Sequence, residues 1–200
     1  MPGRTRAMMP GVIGLFLAVA VGIVVGLARR GSFANLSRTQ LAGVPLVFAG
    51  VILQLASTFA ERADLTWLPL TLVLCSFALT FGFAALNRRL PGMTLIAIGA
   101  LMNFLVIAAN GGMPVSLDAL DRAGLGNPFE GGDVTKGAHH ALDDDDRLTF
   151  LADVIPIKVT DNVVSAGDIV IWAGLLLAIQ QLMVPRPGKR RRGAGELTPG

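Results

Sequence analysis

Five stretches of this chain, at about 11–28, 41–60, 66–86, 91–110 and 168–185, are free of charged side chains except for the Asp168 that opens the fifth. A helix crosses a bilayer with about 20 apolar residues, at about 1.5 Å of rise per residue. One stretch of this kind is compatible with a buried core helix, but five in succession are not. Hydrophobic residues make up 52% of the 200, and the mean hydropathy is +0.62. A soluble domain with that much apolar surface is hard to keep monomeric. A bilayer removes the difficulty, because lipid tails cover the apolar side chains. The expected fold is an all-α membrane protein, a five-span transmembrane helix bundle with one long extracytoplasmic loop. Its parts are an N-terminal tail at 1–10, a membrane domain at 11–185 with an outer loop at 111–167, and a basic tail at 186–200.

Charge placement sets the expected orientation. Ten basic residues lie on one side of the membrane: Arg29, Arg30 and Arg38 after the first stretch, Arg88 and Arg89 after the third, and Arg186, Lys189, Arg190, Arg191 and Arg192 after the fifth. The 111–167 segment holds ten acids against Arg122, Lys136, Arg147 and Lys158. Lys and Arg concentrate in cytoplasmic loops. The N-terminus is therefore expected outside, the C-terminus in the cytoplasm and the acidic loop outside, in a bacterial plasma membrane. Arg4 and Arg6 run against this pattern and make the first 28 residues resemble a signal peptide. However, no small-x-small cleavage site follows, since the run ends Gly26-Leu27-Ala28-Arg29-Arg30. The pI near 9.7 reflects basic residues beside spans, an orientation signal rather than a nucleic-acid face. The lone Cys75 excludes an internal disulfide.

Short connections between the first four stretches predict an up-down bundle. Gly22 and Gly26, four residues apart, offer a neighbouring helix a close approach. The 111–167 loop is glycine-rich and acidic, a poor composition for a core. Within it Leu148 to Ile157 is mainly apolar and too short to span, so it reads as an amphipathic or re-entrant piece packed against the outer mouth of the bundle.

Polar side chains inside spans are costly, so their positions are informative. Gln54 lies in the outer third of the second stretch and Asn103 in the outer half of the fourth. Asn110 follows seven residues later, about two helical turns on and on the same face. Asp168 begins the fifth. Together they predict hydrogen-bonding groups at one outer depth, serving either as glue between helices or as a pocket beneath the loop. The run Asn110-Gly111-Gly112-Met113-Pro114-Val115 stops the fourth helix, since glycine tolerates positive φ and Pro114 holds the exit extended. Ser165 and Asp168 are placed to cap the last helix. Candidate ligand or partner contacts are thus Gln54, Asn103, Asn110, Gly111, Gly112, Met113, Pro114, Ser165 and Asp168.

The Asn103 span, Asn110 to Val115, Leu151-Ala152-Asp153-Val154-Ile155-Pro156 and Ser165-Ala166-Gly167-Asp168 resemble the motifs of a bacterial family of small multi-span membrane proteins known only as a domain of unknown function. The likeness extends to Gly31 through Leu36 and to Gln54, covering about 11–185. It implies the topology and the outer cluster, but no reaction. A fainter likeness joins Gly99 to Asn103 and Asn162 to Asp168 to lipoprotein signal peptidases. That likeness implies a pair of aspartates acting as general acid and base at the outer membrane face. The peptidase carboxylate that follows the Asn motif is absent from Phe104 to Ala109, so Asp153 with Asp168 is the pair to weigh.

His139 and His140, followed by Asp143, Asp144, Asp145 and Asp146, are the weak metal candidates. The run lacks the spaced ligands and central glycine of a calcium loop. No phosphate-cradling loop, paired-cysteine site or nucleophile–His–acid arrangement occurs, and no cofactor is indicated. The expected protein is non-enzymatic: a scaffold, sensor or transport accessory. Its expected partners are the lipid bilayer and a membrane-protein partner or small polar ligand, not nucleic acid, with the oligomeric state left open. A reporter fused after Gly200 should be active only when folded in the cytoplasm; an externally active C-terminal fusion overturns the orientation.

Overall fold

The computed structural model describes residues 12–63, 65, 67–129 and 135–184. The N-terminal tail with Arg4 and Arg6, loop residues 130–134 and the basic tail at 186–200 lie outside the described residues. Long helices form where the sequence is apolar: α1 (Val12–Ala28), α3 (Val44–Arg62), α4 (Leu68–Leu86), α5 (Met93–Asn110) and α7 (Ala166–Met183). Two short helices, α2 (Phe33–Ser37) and α6 (Leu117–Ala123), lie between them. Prolines sit in the first turns of α3 and α4, where a missing N–H costs nothing. Gly43, Gly92 and Gly111 take positive φ at helix ends.

Among the described residues four helices, α3, α4, α5 and α7, are long and apolar enough to cross a membrane. The expected first span is the apolar α1, which has 17 residues. The protein is mostly helical, but the all-α expectation needs amending. Residues 113–164 also form five short strands: β1 (Met113–Val115), β2 (Thr135–Lys136), β3 (His139–Ala141), β4 (Ile155–Ile157) and β5 (Asn162–Val164). β3 pairs parallel with β1 and antiparallel with β2, and β4 and β5 form a hairpin. The apolar piece at 148–157 is not a helix; it holds a 3-10 turn at 149–151 and then β4. Nor is the segment coreless: Val115, Ala119, Leu120, Ala123, Leu125, Phe129 and Val163 bury one another. Acidic residues such as Asp118, Asp121, Asp144 and Asp145 stay exposed, so the apolar minority can collapse.

The helices do not pack in simple sequence order. α3 packs on α4, α4 on α5, α5 on α7, and α7 on α1. The last helix thus inserts between the first and α5. Glycines explain why. A Cβ on Gly14 would strike the Trp172 ring, one on Gly22 would crowd Ile179, and one on Gly26 would press on Met183. These pairs ascend together in number, so α1 and α7 run parallel. On the other side of α7, Gly99 lies against Gly167 and Gly92 against Gly174, so α5 and α7 run antiparallel. A Cβ on Gly174 would lie 2.7 Å from the Gly92 carbonyl oxygen. Backbones approach this closely only where side chains are missing.

Gly174→Ala should therefore lower stability by about 1–3 kcal/mol through overpacking. Gly82→Ala in α4, whose Cβ would meet nothing within 4 Å, should be neutral or stabilising. Thermal melts in one detergent check this; equal effects at the two positions contradict the packing argument.

Candidate functional site

The site lies where α5 ends and α7 begins, under the 111–165 segment. Ser165 caps α7 through its side chain, which accepts from Asp168 N–H at 3.0 Å, while an Asp168 carboxylate oxygen accepts from Ser165 N–H at 3.3 Å. This reciprocal pairing satisfies two N–H groups that the helix cannot. Asn103 joins both residues across the interface. Its Nδ2 donates to Asp168 Oδ1 at 2.8 Å, and its Oδ1 accepts from Ser165 Oγ at 2.9 Å. Asn103 and Ser165 are both fully buried. Gly167 makes this closeness possible, because any Cβ there would collide with the Asn103 amide.

Asp153 is delivered from the covering segment. Its N–H donates to the Pro114 carbonyl at 3.0 Å, and its own carbonyl accepts from Ser116 N–H at 3.0 Å. Its side chain is 6% exposed, and Oδ1 is buried without a hydrogen-bond partner. Burial pushes this carboxyl well above the usual carboxylate range, and the Asp168 carboxylate facing it adds to the rise. The β4–β5 hairpin, which pairs Ile155 with Val164, thus brings two carboxyls near the start of α7 in unequal settings. Asp168 receives hydrogen bonds on both oxygens, whereas Asp153 Oδ1 receives none. Buried carboxyl oxygens are rarely left unbonded.

The sequence-predicted residues divide accordingly. Asn103, Ser165 and Asp168 come together, and Asp153, weighed only as a peptidase alternative, joins them. Asn110 does not share their depth, because seven residues place it about 10 Å along the helix from Asn103. Its amide instead donates to the Arg147 carbonyl and accepts from Arg147 N–H, both at 2.8 Å, so it clasps the covering segment. Gly111 terminates α5 with positive φ, and Gly112 passes close to the His140 ring. Met113 and Pro114 form β1, whose role at the site is to hold Asp153. Gln54 is exposed on α3, a helix whose principal neighbour is α4, and so stands apart from the cluster.

The histidine and aspartate run is a turn closed on itself. His140 Nε2 and Asp146 Oδ1 are 2.8 Å apart. Asp146 accepts from Asp143 N–H and Asp143 from Asp145 N–H, both at 2.9 Å. Burial, with the nearby His140, lowers His139 to a pKa of about 4. Among the described residues no three His, Cys, Asp or Glu side chains converge as a metal site. The sequence argument missed the Asn87 clasp at the other end of the bundle, where Oδ1 accepts from Ala42 N–H and Nδ2 donates to the Ala42 carbonyl. Its place in the tight turn 87–92 was the available signal.

A mostly helical chain with four membrane-length helices and a polar cluster under a small capping segment is the class that fold and site define. The chain belongs to the family of unknown function DUF5317, which matches residues 38–180. It is also similar to an uncharacterized protein of Thermotoga maritima, 32% identical over 151 residues, covering 74% of this chain and 79% of the relative. No solved structure matches the chain.

Asp153 gives the site a pH signature. A carboxyl whose pKa is raised by folding is most favourable below the ordinary carboxylate range and loses that advantage as pH climbs through the raised value. The melting temperature should therefore fall as pH rises from 5 to 8, and Asp153→Asn should flatten that slope. An unchanged slope in the variant contradicts the assignment.

Proposed function

We propose that this chain is a five-span protein of the bacterial plasma membrane, with its N-terminus outside and its C-terminus in the cytoplasm. In this reading its outer polar cluster binds a small polar ligand or a membrane-protein partner, in the manner of a scaffold, sensor or transport accessory. Four membrane-length helices, the apolar α1 and the basic residues gathered at one end support the topology. The parallel course of α1 and α7 supports an odd number of crossings.

The observation that carries the binding reading is the unbonded Asp153 Oδ1. A cluster serving only as glue between helices would satisfy its buried acceptors internally. Here Asn103, Ser165 and Asp168 satisfy one another, and Asp153 remains over. A hydrogen-bond donor from outside the chain completes the set.

The facing carboxyls also favour a second reading, an aspartate-dependent hydrolase. Asp153, whose carboxyl pKa is raised by burial, would serve as general acid, and the hydrogen-bonded Asp168 as general base toward water.

One pair of variants separates the readings. Wild type, Asp153→Asn and Asp168→Asn are purified from native membranes and compared by native mass spectrometry, alongside the membrane peptides of the producing cells. Binding predicts a noncovalent adduct reduced at least tenfold in Asp153→Asn, with unchanged peptides. Hydrolysis predicts an uncut precursor accumulating with both variants. Identical adducts and identical peptides across all three proteins remove both readings.

A further inference from the structure

The acid pair also specifies the chemistry of what it takes, an inference that rests on the cluster being a binding site. We propose that Asp153 and Asp168 together receive a protonated primary amine.

The first argument is charge. The β4–β5 hairpin, which pairs Ile155 with Val164, brings Asp153 to the start of α7 near Asp168, and among the described residues neither acid is ion-paired, unlike Asp118 with Arg122 and Asp146 with His140. Burying two like charges without a counterion is costly. Either a proton or a bound cation relieves the cost.

The second argument is geometry. Asp168 spends one oxygen on Asn103 and the other on Ser165, and the Ser165 hydroxyl both donates to Asn103 and accepts from Asp168. The free acceptors are therefore those of Asp153 and the remaining lone pairs of Asp168. A divalent hard cation takes about six to eight oxygens, more than the site offers. An ammonium group presents three N–H donors, a number that two carboxylates can meet. The surrounding Asn103, Ser165, Gly167 and Pro114 provide no aromatic cage for a quaternary ammonium.

The third argument is position. Asp168 is half-buried and so reachable. The apolar groove of about 340 Å³ beside Ile169 lies on the α1 side of α7, away from the α5 side where Asp168 meets Asn103. A lipid headgroup and a soluble amine both carry the required chemistry.

The test uses the full chain in phosphatidylcholine nanodiscs. Trp67→Phe leaves Trp172, one turn after Asp168, as the sole tryptophan. Methylammonium should produce a saturable change in Trp172 emission, and tetramethylammonium at equal ionic strength should produce none. Phosphatidylethanolamine in the nanodisc should abolish the methylammonium response where the amine is a lipid headgroup and leave it where the amine is soluble. Asp153→Asn should weaken methylammonium at least tenfold.

A second readout needs no variant at the site. Asp168 from α7 is the charged group facing Asp153. α5 brings the neutral Asn103, β1 and β5 bring no titratable group, and Asp118, Asp121 and Arg122 of α6 are exposed. Amine binding displaces the Asp153 proton, so affinity should tighten as pH rises toward the raised value, by no more than about tenfold per pH unit.

A methylammonium response that persists in phosphatidylethanolamine keeps the amine but assigns it to a soluble source. Equal responses to both cations, or none to either, overturn the proposal. If methylammonium fails while an Asp153-dependent adduct persists in native mass spectra, the binding reading stands and the amine falls; if both fail, so does the binding reading.

Discussion

The structure depends on how closely α5 and α7 approach each other. Gly92 against Gly174 and Gly99 against Gly167 bring the two backbones into contact. Lipid offers no hydrophobic drive for helices to associate, so close packing and interhelical hydrogen bonds must supply it. The glycines allow both. Because Gly167 has no side chain, the Asn103 amide reaches across to Ser165 and Asp168. The contact that holds the bundle together also assembles the polar cluster. Structure and site therefore cannot be altered independently at these positions.

Around that contact the covering segment is pinned at several points. Asn110 clasps the Arg147 backbone, β1 pairs with β3, and Asp153 bonds the Pro114 and Ser116 backbones. These bonds place an acid over the end of α7 that the helices alone would not supply. The result is a pair of carboxyls in unlike surroundings, one hydrogen-bonded on both oxygens and one with an unbonded oxygen. Such inequality lets a pair hold one proton and exchange it for another positive group.

Much of this was legible in the sequence. Helix positions followed from apolar length, and the helix ends followed from Gly111 and Ser165, whose chemistry is local. The capping pair Ser165 and Asp168 is a three-residue spacing and needs no tertiary information. Asn103 was recognisable because an amide inside an apolar run must find a partner. Gln54 met the same description, yet it is exposed on α3. Periodicity cannot separate the two, since both sit in apolar helices and only helix packing decides which face is covered. Asn110 shares the face of Asn103 but, about two turns further on, meets a loop backbone instead of a helix.

The sequence by itself determined the long apolar helices and their caps, because those depend on apolar length and on neighbours within four residues. The tertiary structure alone decided that α7 lies between α1 and α5, that 113–164 carries strands and a small core, and that Asp153 meets Asp168. Those outcomes arise from contacts between residues far apart in the chain. Whether an acid at 153 lies exposed or buried near another acid depends on which backbones can touch, and here its bonds to the Pro114 and Ser116 backbones settle that.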